Sequence, residues 1–400
     1  AKTALRSAGG GTLFFPRGTY MLDSFDWDYL AGGYGKFVLM GEGSGTIIKK
    51  RTDDDVTFVT IGRNDTTQTF QGMVFIDNIC IDGIDGGDER VLDLWSMTTL
   101  QTRNLRVRYG GKAISLNNCV TCQLLNTQGS DSKLGFYVTK YTFGDATYSD
   151  PNLNTIIGGA FKDNDSWGIH FEYGKQLVLV GTQIENNGTL SDNATGGILV
   201  DTNAGALSGV NRKGRSLTAD GVWFESNKGR AAAVLKGGAS VFTACHWPNN
   251  NDATREVYSD GGKYTLIDCT IALGRSGGNI EDTANAATGN LIIGGELASG
   301  TQGLDETKTT IIDSQTGTAS TAKRVTRYKG RAPVQSSGTT EWVVQKGTDS
   351  QASGSTVTFP TAFSATPSIF LQVRSNAPGR VKGAKTYSES SSGFTIEKTE

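Results

Sequence analysis

Apolar residues in this chain recur at two-residue spacing in runs of about four to six, each cut by Gly or Asn. Sustained helical periodicity is hard to find, so the pattern predicts many short strands joined by tight turns. A longer repeat lies over it. Aligning GGAFKDN (158–164), TQIENN (182–187), VWFESN (222–227) and HWPNN (246–250) places Phe161, Ile184, Phe224 and Trp247 in one column. The same frame places Asn164, Asn187, Asn227 and Asn250 in a second column, three residues on. Ile271 and Leu297 continue the apolar column, Ile81 and Val107 precede it, and the steps from Phe161 are 23, 40, 23, 24 and 26 residues. VLDL (91–94), AISL (113–116), GFYV (135–138), GIHF (168–171) and GILV (197–200) form another set, the first three spaced 22 residues apart.

Short strands repeating every 20 to 30 residues are expected of a β-solenoid, in which each coil buries its inward residues only by stacking on its neighbours. The aligned Asn residues are expected to be structural, because Asn tolerates the left-handed turn conformation and can hydrogen-bond up the stack. The 40-residue step exceeds one coil, and DTNAGALSGVNRKGRS (201–216) supplies the excess. TKYTFGDATYSDPNLN (139–154) is a second excursion. Long connections on a rigid scaffold often carry recognition.

Composition sharpens this picture. With 400 residues, the length alone would allow two or three ordinary domains or one elongated one. Gly at 53 residues against 7 Pro favours the elongated, frequently turning chain. A net charge of −2 gives no global field to recruit nucleic acid. No stretch reaches the ~18 apolar residues of a membrane span, and the start lacks a signal-peptide pattern. Cys80, Cys119, Cys122, Cys245 and Cys269 are too few and scattered for a disulfide framework and read as buried thiols. Cys119 and Cys122 have CxxC spacing without a second ligand pair.

GGGTLFFPRGTYML (9–22), followed by VLMGEGSGTIIKK and by coils of the IENNGT and WFESN kind, resembles the pectate-lyase-like superfamily of right-handed parallel β-helices. More particularly, it resembles the tailspike depolymerases of bacteriophages. The first stretch is expected to start the solenoid, with Leu13 or Phe15 beginning the buried stack. The resemblance implies an all-β chain: a parallel β-helix over 1–312, a Ser/Thr/Gly-rich linker over 313–340, and a small β-rich module over 341–400 that trimerises or binds sugar. It further implies a homotrimer on the virion tail that cuts a bacterial capsule, exopolysaccharide or O-antigen outside the host cell, without a cofactor. Such proteins are held to the phage tail or baseplate by a preceding domain, and a start at Ala1 is expected of a truncated or processed chain.

Hydrolysing a glycosidic bond takes one carboxylic acid and one carboxylate. If Ile184 and Phe224 point inward, alternation sends Glu185 and Glu225 outward on neighbouring coils, the first expected pair. They could equally form a surface charge ladder with Lys162. Trp223, His246 and Gln183 fall in the adjacent outward column, and an exposed Trp suits the apolar face of a pyranose. On the next face Glu172 is expected beside Asp201, with His170 outward, as the second pair. Asp163 is a further substrate-binding candidate, although turn chemistry alone explains Asp163 and Asp165. Asp82, Asp85 and Asp88 lack the ligand order of a calcium loop, and no metal is expected. A polysaccharide lyase on the same fold and a glycan-binding adhesin without activity are the competing readings.

Overall fold

The structure is a computed structural model. It describes residues 2–27, 36–62, 73–139, 151–190, 192, 194–201, 216–250, 253–272, 279–297, 308–312, 314–316, 323–325, 356–358, 383–387 and 393–399. The excursion residues 140–150 and 202–215 lie outside this set. The chain divides into two units, Ala1–Val343 and Val344–Glu400.

The first unit is a right-handed parallel β-helix. Each coil lays down one strand in each of three sheets, and each strand pairs in parallel with its counterpart one coil on. In the first sheet Thr155 pairs with Val178, Val178 with Thr218 and Thr218 with Val241. In the second, Phe161 pairs with Ile184 and Ile184 with Phe224. In the third, Phe136 pairs with Ile169, Ile169 with Ile198 and Ile198 with Ala233. Parallel neighbours need a long crossover, which each coil supplies by travelling once around the solenoid.

The apolar column of the second sheet is continuous from Ile81 to Leu297 and has one member that hydropathy hides. Val107 pairs with Gly129, and Gly129 with Phe161. A Cβ on Gly129 would lie 2.3 Å from the Gly135 carbonyl oxygen and 3.1 Å from a ring carbon of Phe161, so no side chain fits. Phe224 and Trp247 stack at 4.8 Å with their planes 2° apart, inside the coil.

The Asn column is buried and forms a ladder. Asn164 Nδ2 donates to Asn187 Oδ1 at 2.8 Å, Asn187 Nδ2 to Asn227 Oδ1 at 3.0 Å, and Asn227 Nδ2 to Asn250 Oδ1 at 3.0 Å. The same oxygens also accept the backbone N–H groups of Asn164, Asn187 and Asn227. Asn250 Nδ2 donates to the fully buried Glu256 at 2.7 Å, which closes the row. The left-handed turn residues are the preceding ones, Asp163, Asn186 and Ser226, with φ of 57°, 52° and 53°. The Asn side chains therefore serve the stack, and the turn conformation falls one position earlier than the sequence suggests.

This ladder dictates a glycine row opposite it. A Cβ on Gly135 would meet Asn164 Nδ2 at 2.7 Å, and one on Gly168 would meet Asn187 Nδ2 at the same distance.

At the N-terminal end the strands Gly11–Phe15 and Gly18–Leu22 open the first and second sheets. Leu13 and Phe15 are both half-buried against the core, beside Leu5 of a one-turn helix, Lys2–Ser7, which the strand pattern does not foretell. At the other end Ser314–Thr316 extends the second sheet beyond 312, and Lys323–Val325 pairs with it antiparallel. Both strands fall within 313–340, the segment expected as a linker. The second unit contains an antiparallel sheet of Thr356–Thr358, Gly383–Tyr387 and Gly393–Thr399. Among the described residues, no helix is long and apolar enough to cross a membrane.

Candidate functional site

Two outward faces carry the chemistry, one on the second sheet and one on the third. On the second, Glu185 and Glu225 are direct register partners on neighbouring coils, with Lys162 opposite Glu185 one coil earlier. Strands in register stand ~4.8 Å apart, so the two carboxylates start from adjacent backbones. Trp223 is 39% exposed, and its Nε1–H donates to Glu225 Oε2 at 2.9 Å. Gln183 and His246 pair with Trp223 from either side. The Trp223 and His246 rings lie 5.5 Å apart at 32°. A register shift follows, and Glu225 pairs with Asn249. Lys162 faces Asp163 at 3.7 Å, and the Glu185 backbone carbonyl accepts from the Asp163 N–H at 3.1 Å. Asp163 also accepts a hydrogen bond from Asn186 Nδ2 at 2.7 Å, which ties it to the turn.

The third sheet is more enclosed. Glu172 and Asp201 each follow directly on a register pair, Phe171 with Val200, and so lie side by side on consecutive coils. Glu172 Oε2 accepts hydrogen bonds from the Tyr137 hydroxyl and from Thr139 Oγ1. His170 pairs with Tyr137 on one side and with Leu199 on the other, and its ring centroid is 5.2 Å from that of Tyr137. The buried Nε2 of His170 has no hydrogen-bond partner. Burial pushes the His170 pKa below its usual value; Glu172 and Asp201 oppose that shift, and Lys112 and Lys236 add to it. Lys112 Nζ stands 4.5 Å from the Tyr137 ring centroid. Its pKa is lowered by burial and then by the charge of Arg90, while burial and the Glu172 carboxylate raise that of Tyr137.

The low polarity behind these shifts has a visible source. Trp167, Leu199, Ala231 and Val234 are buried in a second apolar cluster, with Leu134 and Tyr258 packed on it. Leu199 and Val234 continue the His170 column. A charged imidazole beside such a wall loses hydration that few partners replace. Sequence reasoning finds Glu172, Asp201 and His170 on this face but misses Lys112, Tyr137 and Thr139. The repeat that aligns AISL, GFYV and GIHF carries the missing signal, since it already stacks Ser115, Tyr137 and His170.

Two acids of the 82–88 run are paired with basic neighbours. Asp82 receives Arg108 at 2.6 and 3.0 Å, and Asp88 pairs with Lys133. Among the described residues, no group of three or more His, Cys, Asp or Glu is placed to hold a metal ion. All five cysteines are buried thiols, and burial pushes Cys80 up to about 12.

Residues 94–271 match the family described as the right handed beta helix region. None of the curated proteins searched matches the chain. Among solved structures, ORF18 of Geobacillus virus E2 superposes with a TM-score of 0.54 at 16% identity, over 79% of this chain and 58% of that one. The A-module of the Azotobacter vinelandii mannuronan C-5 epimerase AlgE4 gives a TM-score of 0.45 at 15% identity, over 80% and 90%. The catalytic domain of a GH87 alpha-1,3-glucanase gives 0.49 at 13%, over 76% and 60%. At 16% identity the likeness to the virus protein is one of fold, and this chain spans 58% of its length. Strand register, family match and superposition agree on one architecture: the first unit of the chain folds as a right-handed parallel β-helix.

Proposed function

We propose that this chain is the glycan-cleaving part of a bacteriophage tailspike. It binds a bacterial surface polysaccharide and hydrolyses it within the chain, on the third sheet. The observation that carries this reading is the placement of Glu172 and Asp201 on consecutive coils beside His170, against an apolar wall. The Tyr137 and Thr139 hydroxyls that donate to Glu172 hold its carboxyl group in place, which suits the nucleophile or base. Asp201 then protonates the leaving glycosidic oxygen, and its backbone spacing from Glu172 suits the ~5 Å carboxyl separation of retaining enzymes. Enclosure strengthens both roles, because charge developing in the transition state meets a preorganised, poorly hydrated site.

The second sheet offers the other pair, Glu185 and Glu225. It ranks behind because its face is more exposed and Glu225 is occupied by the Trp223 indole. The tailspike setting, with a homotrimer on the virion tail, rests on the resemblance of GGGTLFFPRGTYML and the coils after it; the fold shared with a virus protein accords with it.

One observation favours elimination as a second reading. Lys112, Tyr137 and His170 bring a cation, a phenol held in its protonated form and a neutral imidazole together. Those groups could neutralise a uronate, donate a proton and accept one. Incubation with an intact capsular polysaccharide that the protein depolymerises distinguishes the two. Hydrolysis adds one water per cut, whereas elimination yields unsaturated products absorbing in the near ultraviolet. Glu172→Gln is expected to lower turnover about 10³-fold, and full activity in that variant removes Glu172 from the reaction.

A further inference from the structure

We propose that the second sheet carries a separate carbohydrate platform, centred on Trp223 and His246, that holds uncharged stretches of the polysaccharide without cutting them. The proposal rests on the reading that the chain handles a polysaccharide, but not on where the bond is cut.

In a solenoid each sheet is one wall. The second and third walls meet at the turns that contain the buried ladder of Asn164, Asn187 and Asn227. Outward side chains on the two walls therefore diverge, and a glycan lying along one wall meets only that wall's residues. The second wall has its own recognition surface. Trp223 is exposed, although a tryptophan is among the costliest side chains to leave in water. Its indole is oriented by the hydrogen bond to Glu225, so the ring is fixed before any ligand arrives. The exposed His246 follows one coil later, with its ring 5.5 Å from that of Trp223. Two ring surfaces thus repeat along the solenoid axis at about the strand spacing, a step comparable to the length of one pyranose.

Charge selects the ligand class. Gln183 offers an amide on the coil before Trp223, and Glu185 and Glu225 offer carboxylate oxygens on the flank. Both carboxylates accept hydrogen bonds from sugar hydroxyls and repel uronate or sulfate groups. Lys162, the register partner of Glu185 on the coil before it, already faces Asp163. The fitting ligand is a run of neutral pyranoses, such as hexoses or N-acetylhexosamines, laid parallel to the axis.

An array of neutral and uronate-bearing capsular and O-antigen polysaccharides, probed with the full chain, tests this directly. Trp223→Ala is expected to weaken retention on the recognised neutral polymer about tenfold, one aromatic contact's worth. Trp223→Phe, which keeps a ring but loses the Nε1–H, is expected to fall between. On that polymer KM rises in Trp223→Ala, while the loss of kcat/KM on a short oligosaccharide cut from it is several-fold smaller. Three results would overturn the platform: unchanged retention in Trp223→Ala, equal losses on polymer and oligosaccharide, or retention confined to uronate-bearing polymers. Abolished cleavage in Glu185→Gln with full cleavage in Glu172→Gln would instead overturn the assignment of the reaction to the third sheet.

Discussion

His170 behaves differently from an ordinary surface histidine because it sits where water is scarce. Its pKa is below the usual value in the folded chain, so the unfolded chain takes up the proton first as pH falls. That difference makes the native state lose stability as pH drops through about 6.5, and regain it above. Denaturant midpoints measured between pH 7 and about 5 are expected to fall more steeply in the native protein than in His170→Phe. Parallel curves would show that the imidazole is not desolvated. Tyr137 contributes at the same scale, since its hydroxyl, like that of Thr139, donates a hydrogen bond to Glu172. Tyr137→Phe is expected to lower kcat about tenfold, the worth of one hydrogen bond to a charged group, with KM little changed. A rate equal to that of the native protein would separate Tyr137 from the reaction.

The strands are held in register by a polar row as much as by apolar packing. Asn187 is fully buried and links the Asn164 amide to Asn227. Asn187→Ala removes the oxygen that accepts from both the backbone N–H and the Nδ2 of Asn164, leaving Nδ2 only its 3.3 Å bond to the Gly129 carbonyl, and is expected to cost about 1–3 kcal/mol. Gly168→Ala drives a Cβ to 2.7 Å from Asn187 Nδ2 and 3.0 Å from the Gly197 carbonyl oxygen. It is expected to destabilise by about 1–3 kcal/mol through overpacking. Thermal midpoints of both variants check these values, and an unchanged midpoint in Gly168→Ala would mean that the ladder can move aside.

At this scale the fold is largely legible in the sequence, because inward positions must be apolar in every coil and Asn must recur wherever the ladder runs. Phe161, Ile184, Phe224 and Trp247 show it directly. Gly129 does not, because its place in the column is set by the closeness of Gly135 and Phe161, which hydropathy does not encode. Nor does Glu256, an isolated acid that takes its place by capping Asn250. The candidate site is legible only in part. Alternation identifies Glu172, Asp201 and His170 as outward. The burial that alters the behaviour of His170, Lys112 and Tyr137 depends on packing around Trp167 and Leu199, which no linear pattern reveals.

Across the molecule, the solenoid works as a ruler that makes distant residues neighbours. Thr139 and Glu172 are 33 residues apart yet share a hydrogen bond, and Glu185 meets Glu225 across 40 residues. Such an architecture lets loops vary while the walls keep their spacing. The proposed tailspike is expected to assemble in threes, so light scattering should return three times the monomer mass, and a purely monomeric chain would contradict that assembly.

Which acids cut the glycan decides between the two walls. Mass spectrometry of the products released from a panel of bacterial surface polysaccharides, by the native chain and by Glu172→Gln and Glu225→Gln, measures this. Oligosaccharides one water heavier per cut are expected from the native chain, almost none from Glu172→Gln, and continued cutting from Glu225→Gln. Undiminished cleavage by Glu172→Gln, or loss of cleavage only in Glu225→Gln, would contradict the assignment of the reaction to the third sheet.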